Sequence, residues 1–285
     1  MVKEMRLTVV VENSASLEKP YLLAKHGLCF LIEVKIDESR ETLIMMDTGP
    51  SSDVTLHNIK ALGVDLENIE AIVLSHGHYD HVGGLLDVLK QINSQTLVVA
   101  HPKILNPKFT YKPNLKHIGP PFKLHDVESA GGLPLLARNS VMLAKGVMTT
   151  GEIERSVDFE KTEDFRTVDE GIFKEDAMLD EQSLIFDLEG KGLVVISGCG
   201  HSGIINTIRH AQRTAGENNL YAVIGGFHLI KASDERIRKT IDELLKFNLK
   251  LIGSCHCTGS KAVQQLNNAF GEHYISLRTG DVLRL

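Results

Sequence analysis

Short apolar runs separated by polar turns organise much of this 285-residue chain. Runs of about four to eight aliphatic and β-branched residues are typical of buried strands, and longer amphipathic stretches are typical of helices. The pattern predicts strands over residues 6–11, 28–36, 42–46, 71–74, 97–100, 141–144, 183–187, 193–196, 220–224, 249–252 and 274–277. It predicts helices over residues 54–62, 84–92, 203–214, 234–247 and 261–269, with Ser233 as the cap of the fourth.

The order of these elements favours one domain over residues 1–285. Strands dominate the first half, and strands alternate with helices in the last third. This order predicts two sheets packed face to face with helices outside. The expected fold class is therefore α/β (α+β), a four-layer αββα sandwich.

Two stretches interrupt this rhythm. Residues 103–134 are rich in Pro, Gly, His and Lys, and their prolines forbid a long regular element. Residues 152–181 are strongly acidic and carry Phe159, Phe165 and Phe173 at intervals. Long loops in a compact domain are usually functional lids or disordered. Because the interleaved aromatic rings need a surface to pack on, we expect a lid or insertion over residues 103–181.

The densest chemistry lies at the turn between predicted strand 71–74 and predicted helix 84–92. Residues 76–81 read HGHYDH and contain three histidines and one aspartate. Imidazole and carboxylate groups are ligands that Zn²⁺, Mn²⁺ and Fe²⁺ accept in proteins. A surface turn that is His-rich by accident is the alternative, and the ligand density disfavours it. The turn therefore predicts a metal site.

This segment resembles the HxHxDH motif of the metallo-β-lactamase superfamily. Residues 47–49 (DTG) resemble the turn that follows an early strand of that superfamily, and residues 254–259 (SCHCTG) resemble its final His-bearing loop. The resemblance covers essentially the whole chain and implies a metallo-β-lactamase-like fold with one or two divalent metal ions. It assigns one ion to His76 and His78, and a second ion to Asp80, His81 and His256.

One part of the chain departs from the family pattern. The family usually places a third histidine in a Gly-His-Thr segment and a bridging aspartate after a later strand. Here Cys199 follows strand 193–196, and His201 comes two residues later. We interpret His201 as a metal ligand that replaces the missing group, the alternative being an incidental histidine in a helix-capping loop. Cys199 is either a thiolate ligand or a small buried residue beside the ligands.

Three further side chains have open roles near the predicted metals. The resemblance favours Asp80 as a ligand of the second ion, and a general base is its alternative. Asp47 is expected to orient a ligand histidine rather than bind metal, although Asp-Thr-Gly is also ordinary turn chemistry. His228 follows strand 220–224 and is expected to contact substrate, to act as an acid, or to replace His256 as a ligand.

A weaker signal concerns Thr149, Thr150 and Glu152. Their hydroxyls and backbone amides suit a polar or phosphorylated ligand, and a simple turn after a strand explains them equally well.

The segments around residues 149–153, 198–201, 225–229 and 256–259 narrow the resemblance. They are similar to a subgroup of metal-dependent hydrolases that includes dihydropterin ribofuranosylaminobenzene phosphate synthases. This implies a hydrolase or a pterin transferase that acts on a phosphorylated small molecule, with Zn²⁺ as the favoured metal and Mn²⁺ or Fe²⁺ as alternatives. A metal-binding sensor without turnover and a di-iron redox protein are the competing hypotheses.

Charge and composition restrict the partners. The 31 basic and 37 acidic residues give a net charge of −6, which argues against nucleic acid or an anionic membrane as a partner. No apolar run approaches the roughly 20 residues that span a bilayer. The four cysteines form no spaced disulfide framework. We expect a cytoplasmic enzyme, and its oligomeric state is left open.

Overall fold

Within residues 1–37, 40–161 and 164–285, which the computed structural model of the protein describes, two seven-stranded sheets pack face to face. In chain order the strands are β1 (Glu4–Val11), β2 (Cys29–Asp37), β3 (Arg40–Met46), β4 (Ile69–Val73), β5 (Thr96–Ala100), β6 (Lys108–Thr110), β7 (Lys116–His117), β8 (Gly132–Leu136), β9 (Met142–Ala144), β10 (Val147–Thr149), β11 (Phe165–Asp169), β12 (Ile172–Glu175), β13 (Ser183–Leu188), β14 (Gly192–Ser197), β15 (Leu220–Gly226), β16 (Leu251–Cys255), β17 (Tyr274–Ser276) and β18 (Val282–Arg284). The α-helices are α1 (Ser52–Ala61), α2 (Tyr79–Val82), α3 (Leu85–Ile92), α4 (Leu124–Ser129), α5 (Ile204–Ala215), α6 (Asp234–Leu245) and α7 (Ser260–Phe270).

Each large sheet is antiparallel on one side and parallel on the other. The first has the order β18-β1-β2-β3-β4-β5-β8, and β3, β4, β5 and β8 are parallel. The second has the order β17-β16-β15-β14-β13-β10-β9, and β14 to β17 are parallel. Because the carboxyl ends of parallel neighbours meet at one edge of a sheet, side chains that follow these strands are brought together.

Apolar layers hold the sandwich together. The inner faces of both sheets form one core that includes Phe30, Ile32, Phe186 and Val194. Helices α1, α3 and α4 cover the outer face of the first sheet, and α5, α6 and α7 cover the second. Each fully buried side chain of this kind contributes about 1.5–3 kcal/mol to folding. The predicted αββα sandwich is confirmed.

The long elements agree with the sequence pattern, while several short ones were missed. Every predicted strand and helix is present with its ends shifted. Ser233 caps α6 as predicted, since its hydroxyl accepts a hydrogen bond from the Arg236 backbone N–H. The pattern missed β8, which contains Pro134, and a set of short elements: α2, α4, β6, β7, β10, β11, β12 and β18. An edge strand tolerates proline because one side of it has no partner.

A third sheet of four strands, in the order β12-β11-β6-β7, draws on both halves of stretch 103–181. We call it the small sheet. The structure divides the expected insertion, because β8, β9 and β10 lie between its halves and extend the two large sheets. The small sheet is therefore assembled from two separate chain segments. Among the described residues, no helix has the length and apolarity needed to cross a bilayer.

Candidate metal centre

Strands β3 and β4 of the first sheet position one half of the candidate centre. Asp47 directly follows β3, and the turn 75–81 follows β4, its parallel neighbour. The turn enters α2, where Asp80 and His81 are buried. His76 is also fully buried, so this turn directs its polar side chains into the edge of the sandwich.

Strands β14, β15 and β16 of the second sheet position the other half. Cys199 and His201 follow β14, His228 follows β15, and His256 follows β16. His228 and His256 have positive φ angles of 47° and 53°. Non-glycine residues rarely adopt this backbone, and such conformations cluster at functional sites.

The first cluster of donors contains His76, His78 and His201. His76 Nε2 lies 3.0 Å from His78 Nδ1. The His201 ring centroid lies 4.8 Å from that of His76 and 4.9 Å from that of His78. Each residue of this trio offers one ligand atom within 4.8 Å of the others. Three imidazoles in this arrangement can supply three ligands of a tetrahedral metal ion.

The polar atoms of this cluster fit a bound cation. Among the described residues, His78 Nε2 and both ring nitrogens of His201 are buried without a hydrogen-bond partner. Buried polar atoms are nearly always partnered in native proteins. Burial lowers the pKa of His76, His78 and His201 well below the ordinary value, so these imidazoles are neutral at pH 7. Neutral imidazole is the form that binds metal.

The second cluster contains Asp80, His81 and His256. His81 Nε2 lies 3.1 Å from His256 Nε2, and Asp80 Oδ2 lies 3.4 Å from His256 Nε2 and 3.9 Å from His81 Nε2. Burial opposes ionisation of Asp80, but hydrogen bonds from His256 and His26 hold the pKa of its carboxyl well below the ordinary value. The cluster therefore offers one ionised carboxylate beside two imidazole nitrogens.

A carboxylate behind this cluster fixes the orientation of His81. Asp47 Oδ2 lies 2.6 Å from His81 Nδ1, and Asp47 Oδ1 accepts the Ser75 backbone N–H at 2.7 Å. Burial acts to lower the pKa of His81, but Asp47 outweighs it and raises that pKa to about 9. A metal ion bound at Nε2 would therefore have to displace the proton that this nitrogen carries at pH 7. A Cβ on Gly198 would lie 2.2 Å from Ser75 Oγ, so glycine is needed where the sheets meet. Nδ1 of His81 is thus committed to Asp47, and Nε2 faces the cluster.

His256 is oriented by the end of β1. Asn13 Oδ1 lies 3.0 Å from His256 Nδ1, and Asn13 Nδ2 donates to the His256 carbonyl at 3.1 Å. Glu12 Oε1 accepts the His256 backbone N–H at 2.8 Å. These bonds leave His256 Nε2 directed toward Asp80 and His81.

Cys199 lies between the two clusters. Its Sγ is 3.3 Å from His81 Nε2, and Cys257 Sγ donates to the Cys199 carbonyl at 3.1 Å. Burial raises the pKa of the Cys199 thiol well above its ordinary value. Cys257 differs: burial opposes ionisation, but hydrogen bonds from Cys199 and His228 hold its pKa well below the ordinary value.

A cleft of about 320 Å³ opens above the clusters. His228 lines it, with its ring centroid 4.1 Å from that of His201. Phe165 of β11 also lines it, 5.0 Å from the His78 ring centroid. The small sheet therefore forms one wall. Lys116 and Lys231 add positive charge to the lining.

Thr149, Thr150 and Glu152 are absent from this lining. Thr149 Oγ1 accepts the Val141 backbone N–H, and Thr150 Oγ1 accepts the Ser183 backbone N–H. Glu152 Oε2 accepts hydrogen bonds from Arg138. The structure therefore places these three side chains outside the cleft, where they fasten neighbouring strands and loops, and their contact with substrate stays a prediction.

Sequence reasoning missed several residues around the clusters. His26 Nε2 lies 3.2 Å from Asp80 Oδ2 at the mouth of the cleft, and its side chain is 60% exposed. Asn13 and residues 180–182 contact the ligand-bearing residues and loops, and Lys108 pairs with Asp180 behind them. They carry no motif, and their contacts join positions far apart in sequence. The three consecutive polar residues directly before strand β13 were the one available signal.

Several known proteins are similar to this chain in fold and in sequence. The family profile described as the metallo-beta-lactamase superfamily matches residues 24–209. The 7,8-dihydropterin-6-methyl-4-(beta-D-ribofuranosyl)-aminobenzene-5'-phosphate synthase of Methanocaldococcus jannaschii is 36% identical over 289 residues, which cover 99% of this chain and 97% of that protein.

Two solved structures add to this comparison. Tm1679, described as a metal-dependent hydrolase of the beta-lactamase superfamily, has a TM-score of 0.81 and 29% identity over 98% of each chain. The metallo-beta-lactamase fold protein YhfI from Bacillus subtilis has a TM-score of 0.59 and 14% identity over 99% of each chain, which shows the fold alone. Since the profile spans more than half of the chain and the synthase aligns with nearly all of it, this chain belongs to the metallo-β-lactamase superfamily.

Proposed function

We propose that this protein is an enzyme that holds two divalent metal ions at the edge of the sandwich. Two adjacent donor clusters beneath one cleft carry this proposal: the trio of His76, His78 and His201, and the set in which His256 Nε2 lies 3.1 Å from His81 Nε2 and 3.4 Å from Asp80 Oδ2. The unpartnered buried nitrogens of His78 and His201 support it. The first ion is assigned to His76, His78 and His201, and the second to Asp80, His81 and His256.

The donor set suits Zn²⁺ best, and Mn²⁺ and Fe²⁺ accept the same ligands. Bound ions of this kind polarise a phosphoryl oxygen and lower the pKa of a coordinated water. Asp47 and Asn13 hold the rings of His81 and His256 in the orientation that binding requires. We assign Cys199 as a neutral thiol packed between the two ligand sets.

The cleft favours a small phosphorylated substrate with an aromatic part. Lys116 and Lys231 supply positive charge for a phosphate group. The rings of Phe165 and Tyr79 supply apolar surface for a planar heterocycle. We assign His228 to substrate contact, because it lies in the lining beside His201.

We propose that the reaction is transfer of a pterin group from a pterin pyrophosphate ester to a phosphorylated ribofuranosyl-aminobenzene. The new bond to the acceptor forms as the bond to pyrophosphate breaks, and the acceptor loses a proton. The similarity of nearly the whole chain to the synthase of Methanocaldococcus jannaschii supports this choice. In this reaction the cleft must hold two substrates together, exclude water and orient the reacting atoms. Asp80 and His228 both line the cleft, where Asp80 can bind metal and face the substrate and His228 can hold a proton beside it.

Hydrolysis is the second candidate reaction. The similarity to Tm1679, a metal-dependent hydrolase at 29% identity, favours it. The same two clusters serve both reactions, and the difference is whether water or an organic acceptor occupies the cleft.

We further propose that the small sheet acts as a lid within a single domain over residues 1–285. Phe165 joins the small sheet to the metal site, since its ring packs against the rings of His78 and His201. Limited proteolysis with and without substrate would test the lid. Cutting within the small sheet that is unaffected by ligand would contradict it.

Metal content per chain, followed by assays with paired substrates, tests the function. We expect two ions per chain and a product that joins the pterin to the phosphorylated acceptor. Product formed from one substrate and water alone would instead establish a hydrolase. No more than one ion per chain and no turnover after Zn²⁺, Mn²⁺ or Fe²⁺ is supplied would overturn the enzyme proposal.

A separate experiment tests the proposal that the substrate carries a phosphate group near Lys116. Lys116→Ala should raise KM about tenfold for the phosphorylated acceptor and leave KM unchanged for the acceptor without phosphate. Lys112 lies on the same segment, is 78% exposed and pairs with Asp164. Lys112→Ala should change neither value. An equal effect of Lys116→Ala on both acceptors would contradict the phosphate assignment.

A further inference from the structure

A buried lysine joins the small sheet to the turn that carries His76 and His78. Lys108 begins β6 and is 1% exposed. Its Nζ lies 2.9 Å from Asp176 Oδ2 and 2.8 Å from Asp180 Oδ1. An ammonium group is costly to bury unless it is paired and hydrogen-bonded. The two carboxylates therefore stabilise the buried ammonium group by pairing with it and accepting its hydrogen bonds.

Asp180 uses its second oxygen on the metal-bearing turn. Asp180 Oδ2 accepts the Gly77 backbone N–H at 2.8 Å, and Gly77 lies between His76 and His78 in sequence. A Cβ on Gly77 would lie 2.2 Å from the Ile104 carbonyl oxygen. The turn is thus seated directly against the segment that leads into the small sheet.

The next two residues continue the same pattern. The Glu181 carboxylate accepts the His201 backbone N–H at 2.6 Å and also the backbone N–H of Ser202. Gln182 donates from its backbone N–H to the Ser75 carbonyl at 2.8 Å and from Nε2 to the Leu74 carbonyl at 3.0 Å. Three consecutive residues therefore bind the loops that follow β4 and β14.

We propose that Asp180 and Glu181 are positioning residues for the first metal ion, with Lys108 as the charge that holds Asp180 in place. This inference rests on the proposed two-metal function. The ligands of that ion come from two different sheets, His76 and His78 from one and His201 from the other. Asp180 fixes the first loop, Glu181 fixes the second, and their adjacency sets the spacing of the ligands.

Asp180 connects the small sheet to the metal-bearing turn through its two oxygens. One of its oxygens faces Lys108 of the small sheet and the other faces the metal-bearing turn. The seating of the small sheet and the geometry of the first ion are therefore linked through one carboxylate. Groups behind metal ligands commonly alter metal affinity about 10- to 100-fold.

Asp180→Ala is the main test, because Lys108 keeps Asp176 as a one-to-one partner in this variant. The apoprotein would be titrated with Zn²⁺ against a chromophoric chelator, and with Co²⁺ while its visible absorption is recorded. We expect affinity for one of the two ions to fall about 10- to 100-fold, with a changed Co²⁺ absorption band. Asp180→Asn should bind with an affinity between those of Asp180→Ala and the wild type, since its amide oxygen can still accept the Gly77 N–H but its amide nitrogen cannot accept a hydrogen bond from Lys108.

Asp169 provides a matched control on the small sheet. It also lies between two lysines, with Lys103 Nζ at 2.6 Å and Lys174 Nζ at 2.8 Å from its Oδ2. Asp169→Ala should leave both affinities and the Co²⁺ band as in the wild type. Glu181→Gln is the second variant, which decides the question should Asp180→Ala fail to fold. It should weaken the same ion, because its amide nitrogen cannot accept a hydrogen bond.

The outcomes separate the two proposals. If the wild type binds two ions and folded Asp180→Ala and Glu181→Gln bind them equally well with an unchanged Co²⁺ band, the positioning role is overturned alone. If the wild type binds no metal, the proposed function fails and the positioning role fails with it.

Discussion

Asp47 Oδ2 lies 2.6 Å from Nδ1 of His81, and both side chains are fully buried. The carboxylate is held in turn by the backbone N–H and hydroxyl of Ser75. One ring nitrogen of His81 is thereby committed to Asp47, and the other is directed at Asp80 and His256.

We expect Asp47→Asn to weaken binding of the second ion about 10- to 100-fold, because an amide orients the ring less firmly and carries no charge. The measurement is a Zn²⁺ competition titration of the apoprotein. Asp87→Asn is the control, since Asp87 lies on α3 and its side chain is 50% exposed. Equal affinity in Asp47→Asn and Asp87→Asn would show that Asp47 has no part in holding the metal.

His201→Ala should reduce bound metal from two ions per chain to one, because His201 is assigned to the first ion. Metal analysis after gel filtration measures this directly. His125→Ala is the control, since His125 is 70% exposed. Full metal content and full rate in His201→Ala would show that the ligand replacing the family's third histidine lies elsewhere.

Asn13→Ala should weaken the second ion about tenfold, because His256 loses the acceptor at Nδ1 and the donor at its carbonyl. Asn13→Asp should weaken it less, because the carboxylate still accepts from Nδ1. The same titration ranks the two variants. Asn68→Ala, at an exposed position bonded to Asp65, should have no effect. A rank order in which Asn13→Asp is the weaker binder would contradict this account of His256.

Glu160 predicts a pH dependence of stability. It is 5% exposed, and burial raises the pKa of its carboxyl from 4.5 to about 6. The folded state therefore holds this proton more tightly than the unfolded state. The contribution of Glu160 to the free energy of unfolding is fully present below pH 4.5. It is lost as pH rises through about 6, a change of about 2 kcal/mol.

Urea unfolding at pH 4.5, 5.5 and 7 would measure this effect. The free energy of unfolding of Glu160→Gln relative to the wild type should rise by about 2 kcal/mol across this range. Glu154→Gln, at a side chain that is 68% exposed, should show no such trend. A constant difference between Glu160→Gln and the wild type would contradict the raised pKa.

The sequence predicted the sandwich well because its strands are continuous apolar runs and its helices have regular amphipathic spacing. The turn 76–81 was visible for a different reason: four donors adjacent in sequence need no long-range information. Asp47 and His256 were visible because each follows a recognisable strand.

Residues that act through long-range pairing could not be predicted. Lys108 meets Asp180 across 72 positions, and Asn13 meets His256 across 243. A lysine in a Pro-rich stretch is usually solvent-exposed, and only the folded chain places this one between two carboxylates. Thr149 shows a second limit, because a hydroxyl at the end of a strand has the same sequence pattern whether it contacts a ligand or, as here, the Val141 backbone N–H.

The divided origin of the small sheet bears on how substrate preference can be changed. Strand β6 pairs with β11, and the two come from segments separated by strands of both large sheets. The small sheet of a relative cannot be transferred into this chain as one continuous segment. A β6 strand taken from the relative would pair with the β11 strand of this chain, and their side chains would not match. Engineered or natural exchange of specificity in this chain must therefore alter both segments together.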